Sequence, residues 1–486
     1  MRRGEADIVI IGSGFGGSVC ACRAAQAGMN VVVVERGRLL SDDVFGAMSE
    51  GRLPLIHGPD RVGLVDYPRI RGLASIVGCG VGGGSQVYTA VTVPAPDEIF
   101  QSGWPAGVDA ALLRPYFDRV RAMIAPTPVP LPLPRTEALE AAGRRLGASV
   151  TRVPQSMDWP QDPERLRAPP IEREPRSWLV DWLRGGPVAR KRTLCRTYLA
   201  GALTAGAQIR PLHEAVGIWP DRQGYWVAYR SHQEGRMQDG RVWARRVILS
   251  AGTLATVRLL MQCRDTWRCL PALSPRLGSR VFTNGDMGAL LIGNHQTMQA
   301  DSGPPVTAWV DHWEPDRLYV MELGHIPIPP MVSRLLAPYG IRGPFQARGS
   351  ANWALGVMGF DDRPGRLVHR GDGALEYVRS THAPDVYDGR VMTRLCELAG
   401  ALSASLVVPP AAVMSRFALT VHPLGGAGMA DTSQDGVTSR YGEIFGYPGL
   451  FVADGSLLPT PIGRAPSMTI AALAERVVER IVETGL

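Results

Sequence analysis

Residues Asp7 to Gly17 read DIVIIGSGFGG, and the order of residue types in that stretch decides the fold. Ile8 to Ile11 is a short β-branched run of the kind a strand buried on both faces of a parallel sheet needs. Gly12-Ser13-Gly14-Phe15-Gly16-Gly17 follows at once, with the spacing G-x-G-x-x-G. Gly12 is expected to make the tight turn, Gly14 to let the backbone approach a pyrophosphate, and Gly17 to let the next helix lie close to the sheet. That helix, through about Ala27, turns its free N–H groups and positive end toward the phosphates. Gly28 stops it, Val31 to Val34 forms a second strand, and Glu35 stands at that strand's end. A carboxylate there accepts hydrogen bonds from an adenosine ribose and disfavours a 2′-phosphate. The glycine spacing alone is weak evidence. Strand, glycines, helix, strand and acid in this order make a dinucleotide site, without separating NAD from FAD.

Working outward, a second glycine cluster, GCGVGGGS, spans Gly78 to Ser85. So much glycine predicts a loop of bare backbone N–H groups able to wrap a flat or phosphorylated ligand. Near the other terminus, VHPLGGAGM carries His422 beside a proline and two glycines. LFVADGSLLPTPIGRAPSMTIAALAERVVERI then predicts a strand ending at Asp454-Gly455, a proline-bounded loop, and a helix from about Pro466. Apolar residues at Ile470, Leu473, Val477 and Ile481 predict that this helix packs on the sheet.

Together with RVILSAGTLATVRLL (Arg246 to Leu260), these blocks resemble the glucose–methanol–choline (GMC) oxidoreductase family, in its cholesterol-oxidase-like branch. The resemblance covers roughly the first 100 residues, the region from 190 to 285 and the last 70. It implies an α/β fold: a Rossmann-like FAD-binding domain of GMC type with an inserted α+β substrate domain. It implies FAD with Gly12, Gly14, Gly17 and Glu35 at the adenosine diphosphate end. Gly82, Gly83, Gly84 and Ser85 take the middle and the ring, and the backbone of Val216 lies near the adenine. Asp454 and Gly455 fall near the ribityl chain and pyrophosphate, and Met468 sits in a helix turn whose positive end faces the flavin pyrimidine. Phe15 and Gly16, Ala251 and Gly252, and Pro466 and Thr469 fall in the same cofactor-binding blocks. Some family members attach FAD through a histidine in the glycine loop; this loop has none, so noncovalent FAD is expected.

Alcohol oxidation needs a hydride acceptor and a base for the hydroxyl proton. His422 fits the second role, since imidazole accepts a proton near neutral pH and HPLGG matches the family histidine facing the flavin. Glu322, in LYVMELGHIPIPP, is a second catalytic candidate, with His325 on the same segment. The family places an asparagine or histidine where this chain has Ala465, so the usual two-residue clamp on the substrate hydroxyl is incomplete. Arg464, Ser467 and Glu322 are candidate substitutes. The same gap keeps open another flavin reaction, such as carbon–carbon desaturation or a redox-neutral isomerisation or lysis, and a non-catalytic FAD scaffold.

The chain has 486 residues, more than one hydrophobic core normally serves. The FAD domain is expected at 1–100, 190–281 and 420–486, with 101–189 as a connecting segment and 282–419 as the substrate-binding domain. Pro126 to Pro134 reads as a stiff connector, Pro327 to Tyr339 as an apolar lid, and Trp309, Trp313 and Trp353 as possible pocket walls. The substrate is expected to be a small molecule, with a sterol, a sugar and a specialised metabolite all compatible; the electron acceptor is oxygen or another. Net charge is +7, but no basic block is interleaved with aromatics, which argues against nucleic acid. No metal site is expected from seven scattered cysteines without paired spacing. No apolar run approaches the roughly 20 residues that span a bilayer, and with no export signal a cytoplasmic location is expected. Lys191 is the only lysine.

Overall fold

A computed structural model of the chain describes residues 5–58, 61–168, 175–185, 189–233, 236–292, 298–300, 302–324, 353–361, 363–370, 374–379, 386–408 and 418–485. Its central sheet runs in the order Gln208–Arg210, Val31–Val34, Glu5–Ile11, Arg236–Leu249, Gly224–Gln233, His213–Asp221, with Leu450–Val452 also on Arg236–Leu249. The first four are parallel, as is Leu450–Val452, and the last three form an antiparallel meander. Ile8 to Ile11 and Val31 to Val34 are buried on both faces, as their unbroken apolar character predicts. The register matters for the site. Val34, Ile11, Leu249 and Val452 form one row across the sheet, each the last residue of its strand. The turns that follow, at Glu35, Gly12, Ser250 and Ala453, therefore emerge side by side at the carboxyl edge, where open α/β sheets bind ligands.

The helix Phe15–Gln26 leaves the first turn and lies on the sheet. A Cβ on Gly17 would lie 2.0 Å from the carbonyl oxygen of Gly12, and one on Gly16 would lie 1.4 Å from that of Ala453. The terminal helix, Ser467–Glu483, packs on Phe15–Gln26 and Ala110–Ile124, and its Ile481 carbonyl accepts from Arg246 of the sheet strand Arg236–Leu249 at 2.7 Å. Its buried Glu475 receives Arg23 through both nitrogen arms, at 2.9–3.0 Å, and the Tyr198 hydroxyl at 2.8 Å. Leu473, Val477 and Ile481, picked out by their apolar spacing, lie on the buried face of this helix.

A second sheet is wholly antiparallel, in the order Ser405–Val407, Met287–Ile292, Trp353–Gly359, Leu318–Gly324, Ala308–His312, Ser149–Arg152. Strand alternation sorts its faces. Ala308, Val310, Leu318, Val320, Trp353, Leu355 and Val357 form a core with the helices Pro134–Leu146 and Val386–Ala401. Trp309, Tyr319, Met321 and Met358 join the main core on the opposite face. Residues 134–152, expected within a connector, thus supply a helix and an edge strand to this sheet. Trp353 lies on the helix-covered face and lines no wall toward the first domain. His325 and Pro327 to Tyr339 fall outside the described residues. No helix among the described residues is long and apolar enough to cross a membrane.

Candidate functional site

The first turn is shaped for a ligand it does not itself fill. Gly12 has φ +94°, a left-handed conformation, and a Cβ there would meet the Ser250 carbonyl at 2.4 Å. A Cβ on Gly14 would meet nothing within 4 Å, and Gly14 caps the helix Phe15–Gln26 without any side-chain hydrogen bond. The first N–H groups of that helix thus start without a side-chain cap, at the helix's positive end. The second glycine loop folds over the same place. A Cβ on Gly83 would sit 2.7 Å from the Cα of Gly14, and the Gly82 N–H donates to Ser13 Oγ at 3.0 Å.

Glu35 ties the two loops together. Its Oε2 accepts from the Ser13 N–H at 3.0 Å and the Ser13 hydroxyl at 2.7 Å, and its Oε1 from the Gly37 N–H at 2.8 Å. A carboxylate has about four acceptor positions, so one remains for a ribose hydroxyl. Ser13, one of the variable positions of the glycine motif, carries no sequence signal for this role. Val216 is skipped in the ladder between Ala215 and Gly217, a bulge that takes its backbone out of strand pairing.

Three expectations change. Gly16 is demanded by contact with Ala453, so its place in the motif reflects helix packing. Ser85 is fully buried and spends its hydroxyl on the Gly82 carbonyl at 2.7 Å while accepting from the Leu194 N–H at 3.1 Å. Asp454 is saturated: Oδ2 accepts from the Gly252 N–H and Thr256 Oγ1 at 3.0 and 2.5 Å, and Oδ1 from the Ser456 N–H and hydroxyl at 2.9 and 2.6 Å. Burial pushes its carboxyl upward, against these hydrogen bonds. The side chain thus fastens the turns after Leu249 and Val452 to each other, and cofactor contacts there fall to backbone atoms. At the last helix, Pro466 offers no side-chain cap, Met468 and Thr469 are buried, and Thr469 Oγ1 has no hydrogen-bond partner. An uncapped helix start with an orphaned hydroxyl in its first turn fits a polar ligand edge.

His422 lies between two short strands. Ala418–Thr420 pairs with Leu73–Ser75, and Leu424–Gly425 with Val281–Phe282. The Pro423 carbonyl accepts from Thr253 Oγ1 at 2.6 Å, which sets the histidine turn beside Gly252 and Gly455. The second pairing also delivers Asp286, whose Oδ1 stands 2.9 Å from His422 Nδ1. Asp286 carries no motif, and its separation of 136 residues hides it from sequence. Asn284, just before it, accepts from the Ile462 and Gly463 N–H groups at 3.1 and 2.8 Å and donates to the Arg464 carbonyl at 2.8 Å. One segment, 282–286, therefore holds both the histidine and the turn leading to Ala465. Beside Ala465, Arg464 donates to the Pro94 carbonyl at 3.1 Å and to the Tyr319 hydroxyl at 2.6 Å, its guanidinium 4.8 Å from that ring's centroid. Ser467 Oγ donates to the Val91 carbonyl at 3.4 Å.

Glu322 is not part of this arrangement. Strand parity puts it on the same face as Leu318 and Val320, opposite Tyr319 and Met321. There it is fully buried against Arg135: Oε2 accepts from Arg135 Nε at 2.6 Å and the Gly324 N–H at 3.2 Å, while Oε1 accepts from Thr307 N–H at 2.6 Å and the Thr307 hydroxyl. The catalytic expectation for Glu322 is corrected, because every acceptor position is used and the charge is neutralised. Glu322→Ala should cost about 3–5 kcal/mol by leaving Arg135 buried and unpaired. Urea unfolding reads that loss; turnover per bound flavin should stay within about twofold, and selective loss of turnover in stable protein would restore a catalytic role.

Two family profiles match the chain. One, described as FAD dependent oxidoreductase, covers residues 7–303, and one described as GMC oxidoreductase covers 408–474. A cholesterol oxidase of Mycobacterium tuberculosis is 28% identical over 97% of this chain and 90% of its own. A long-chain-alcohol oxidase of Arabidopsis thaliana is 21% identical over 98% and 67%. The crystal structure of pyridoxine 4-oxidase from Mesorbium loti superimposes with a TM-score of 0.66 over 98% of both chains at 16% identity.

Proposed function

The chain belongs to the FAD dependent oxidoreductase family, in its GMC branch with cholesterol-oxidase-like relatives, and from that premise we propose that it oxidises a small-molecule alcohol to a carbonyl with His422 as the base. It is an oxidoreductase acting on CH–OH donors. Bound FAD supplies the acceptor for the hydride that leaves the carbinol carbon. The observation that carries the reading is the state of the His422 ring: half-buried, one nitrogen fixed on Asp286, the other unclaimed by any described side chain. A ring held this way can take the hydroxyl proton as the C–H bond breaks.

Around it, Gly14 leaves room for the pyrophosphate, the uncapped helix at Phe15 supplies N–H donors to it, and Glu35 keeps one acceptor position for the ribose. The bulged backbone at Val216 serves the adenine. The second helix start, at Ser467, brings its positive end and Thr469 to the flavin pyrimidine, where negative charge gathers on reduction. With no histidine between Gly78 and Tyr88, the cofactor is held noncovalently. Ala465 contributes only shape to the clamp, and the Arg464 guanidinium beside it is held by the Pro94 carbonyl and the Tyr319 hydroxyl.

The test is anaerobic mixing of the purified flavoprotein with sterol, sugar and aromatic alcohols. Flavin bands should bleach with one class and yield the carbonyl product. His422→Gln should keep the flavin spectrum while slowing bleaching about 10²–10⁴-fold. Bleaching at the wild-type rate in that variant, or an unsaturated product with no carbonyl, sinks the proposal.

A further inference from the structure

We propose that Asp286 decides which nitrogen of His422 is the base, and that it does so through the three donors that pin its other oxygen. The proposal rests on the reading of His422 above and deepens it. Asp286 Oδ2 accepts from Thr420 Oγ1 at 2.8 Å, the Val421 N–H at 2.8 Å and the His422 N–H at 3.0 Å. The Thr420 hydroxyl shares its proton with the Thr283 carbonyl at 3.0 Å, and the His422 N–H shares its own with Thr420 Oγ1 at 2.9 Å. Oδ2 is thereby committed to the turn, and Oδ1 alone faces the imidazole. The carboxylate side chain is 8% exposed, so little water competes for it.

A carboxylate only accepts, so the Nδ1 facing it carries a proton. In the neutral imidazole, Nε2 then keeps its lone pair and is the atom that can accept from a substrate hydroxyl. The anchoring of Oδ2 gives this arrangement an unusual sensitivity. In Asp286→Asn, two backbone N–H groups still point at the Oδ2 position and demand an oxygen there. The amide NH₂ is thereby turned toward His422 Nδ1, which must now accept. The imidazole proton moves to Nε2, and the base becomes a donor at the wrong atom. Asp286→Ala removes the acceptor without installing a donor, leaving water to reach Nδ1 and the tautomers to exchange.

The expected order is therefore inverted relative to a structural role. Asp286→Asn should lower kcat about 10²–10⁴-fold with KM and flavin content near wild type, and Asp286→Ala should lose less. A residue that merely holds the turn would give the opposite order, since asparagine preserves hydrogen bonds that alanine deletes. A second readout needs no turnover. In ¹⁵N-histidine-labelled holoenzyme, the signals missing from His422→Gln should report a protonated Nδ1 in the wild type and a protonated Nε2 in Asp286→Asn. Unchanged tautomer signals in Asp286→Asn, or alanine worse than asparagine, overturns the proposal. If His422→Gln itself turns over normally, the base reading fails, while the ¹⁵N signals still judge Asp286.

Discussion

Gly16→Ala should yield protein that largely fails to fold or load flavin, losing more than about 4 kcal/mol of stability. The new methyl would fall 1.4 Å from the carbonyl oxygen of Ala453, on backbone that cannot swing aside as a side chain would. Relief requires the helix Phe15–Gln26 to lift from the row of strand ends. The same movement would pull the Ser13 hydroxyl from Glu35 and open the gap between Gly14 and Gly83. Gly14→Ala is the internal control, because its methyl meets no protein atom within 4 Å. That variant should fold with near-wild-type stability and lose affinity for FAD, since the methyl enters the space kept for the pyrophosphate. Urea unfolding and the ratio of flavin to protein absorbance separate the two. A Gly16→Ala protein with wild-type unfolding and full flavin would refute the packing account.

That contrast shows how far the sequence could be read. Strand, glycines, helix and acid are local, and their order in the chain is also their order in space, so residues Asp7 to Glu35 were legible. The HPLGG context singled out His422, and the structure sets its ring against the Asp286 carboxylate. Glu322 was misread because its role depends on which face of a strand it occupies and on what covers that face. The covering helix, Pro134–Leu146, follows a proline-rich stretch that resembled a connector. Asp454 was read as a ligand of the cofactor, yet its four hydrogen bonds, two of them to the turn 202 and 198 residues away in sequence, spend it on the fold. Asp286 and Ser13 had no motif to mark them. Both are polar residues whose partners are assembled only by the sheet, and such long-range pairs leave no periodicity to detect.

Lys191→Met should stabilise the protein at neutral pH and flatten its dependence on pH. In the two-residue strand Arg190–Lys191 the arginine is exposed and the lysine is turned inward. Arg192 meets Asp158 at 2.5 Å, whereas Lys191 is buried, its Nζ without a hydrogen-bond partner and 5.5 Å from the centroid of the Tyr88 ring. Burial alone drives the amine down to about 7, from about 10.4 in an unfolded chain. Between these limits the unfolded chain binds a proton that the folded protein does not, so stability rises with pH through that window. Below about 7 both states are protonated and the dependence ends. From pH 7 to 9.5 the rise attributable to Lys191 is about 3 kcal/mol. Methionine has no proton to bind and fills a similar volume, so the difference between variant and wild type should be large at pH 7 and small at 9.5. Urea unfolding at both pH values measures it. A variant that is less stable than wild type at pH 7, or that keeps the wild-type slope, would mean that the lysine has a buried partner or that its amine is hydrated in solution.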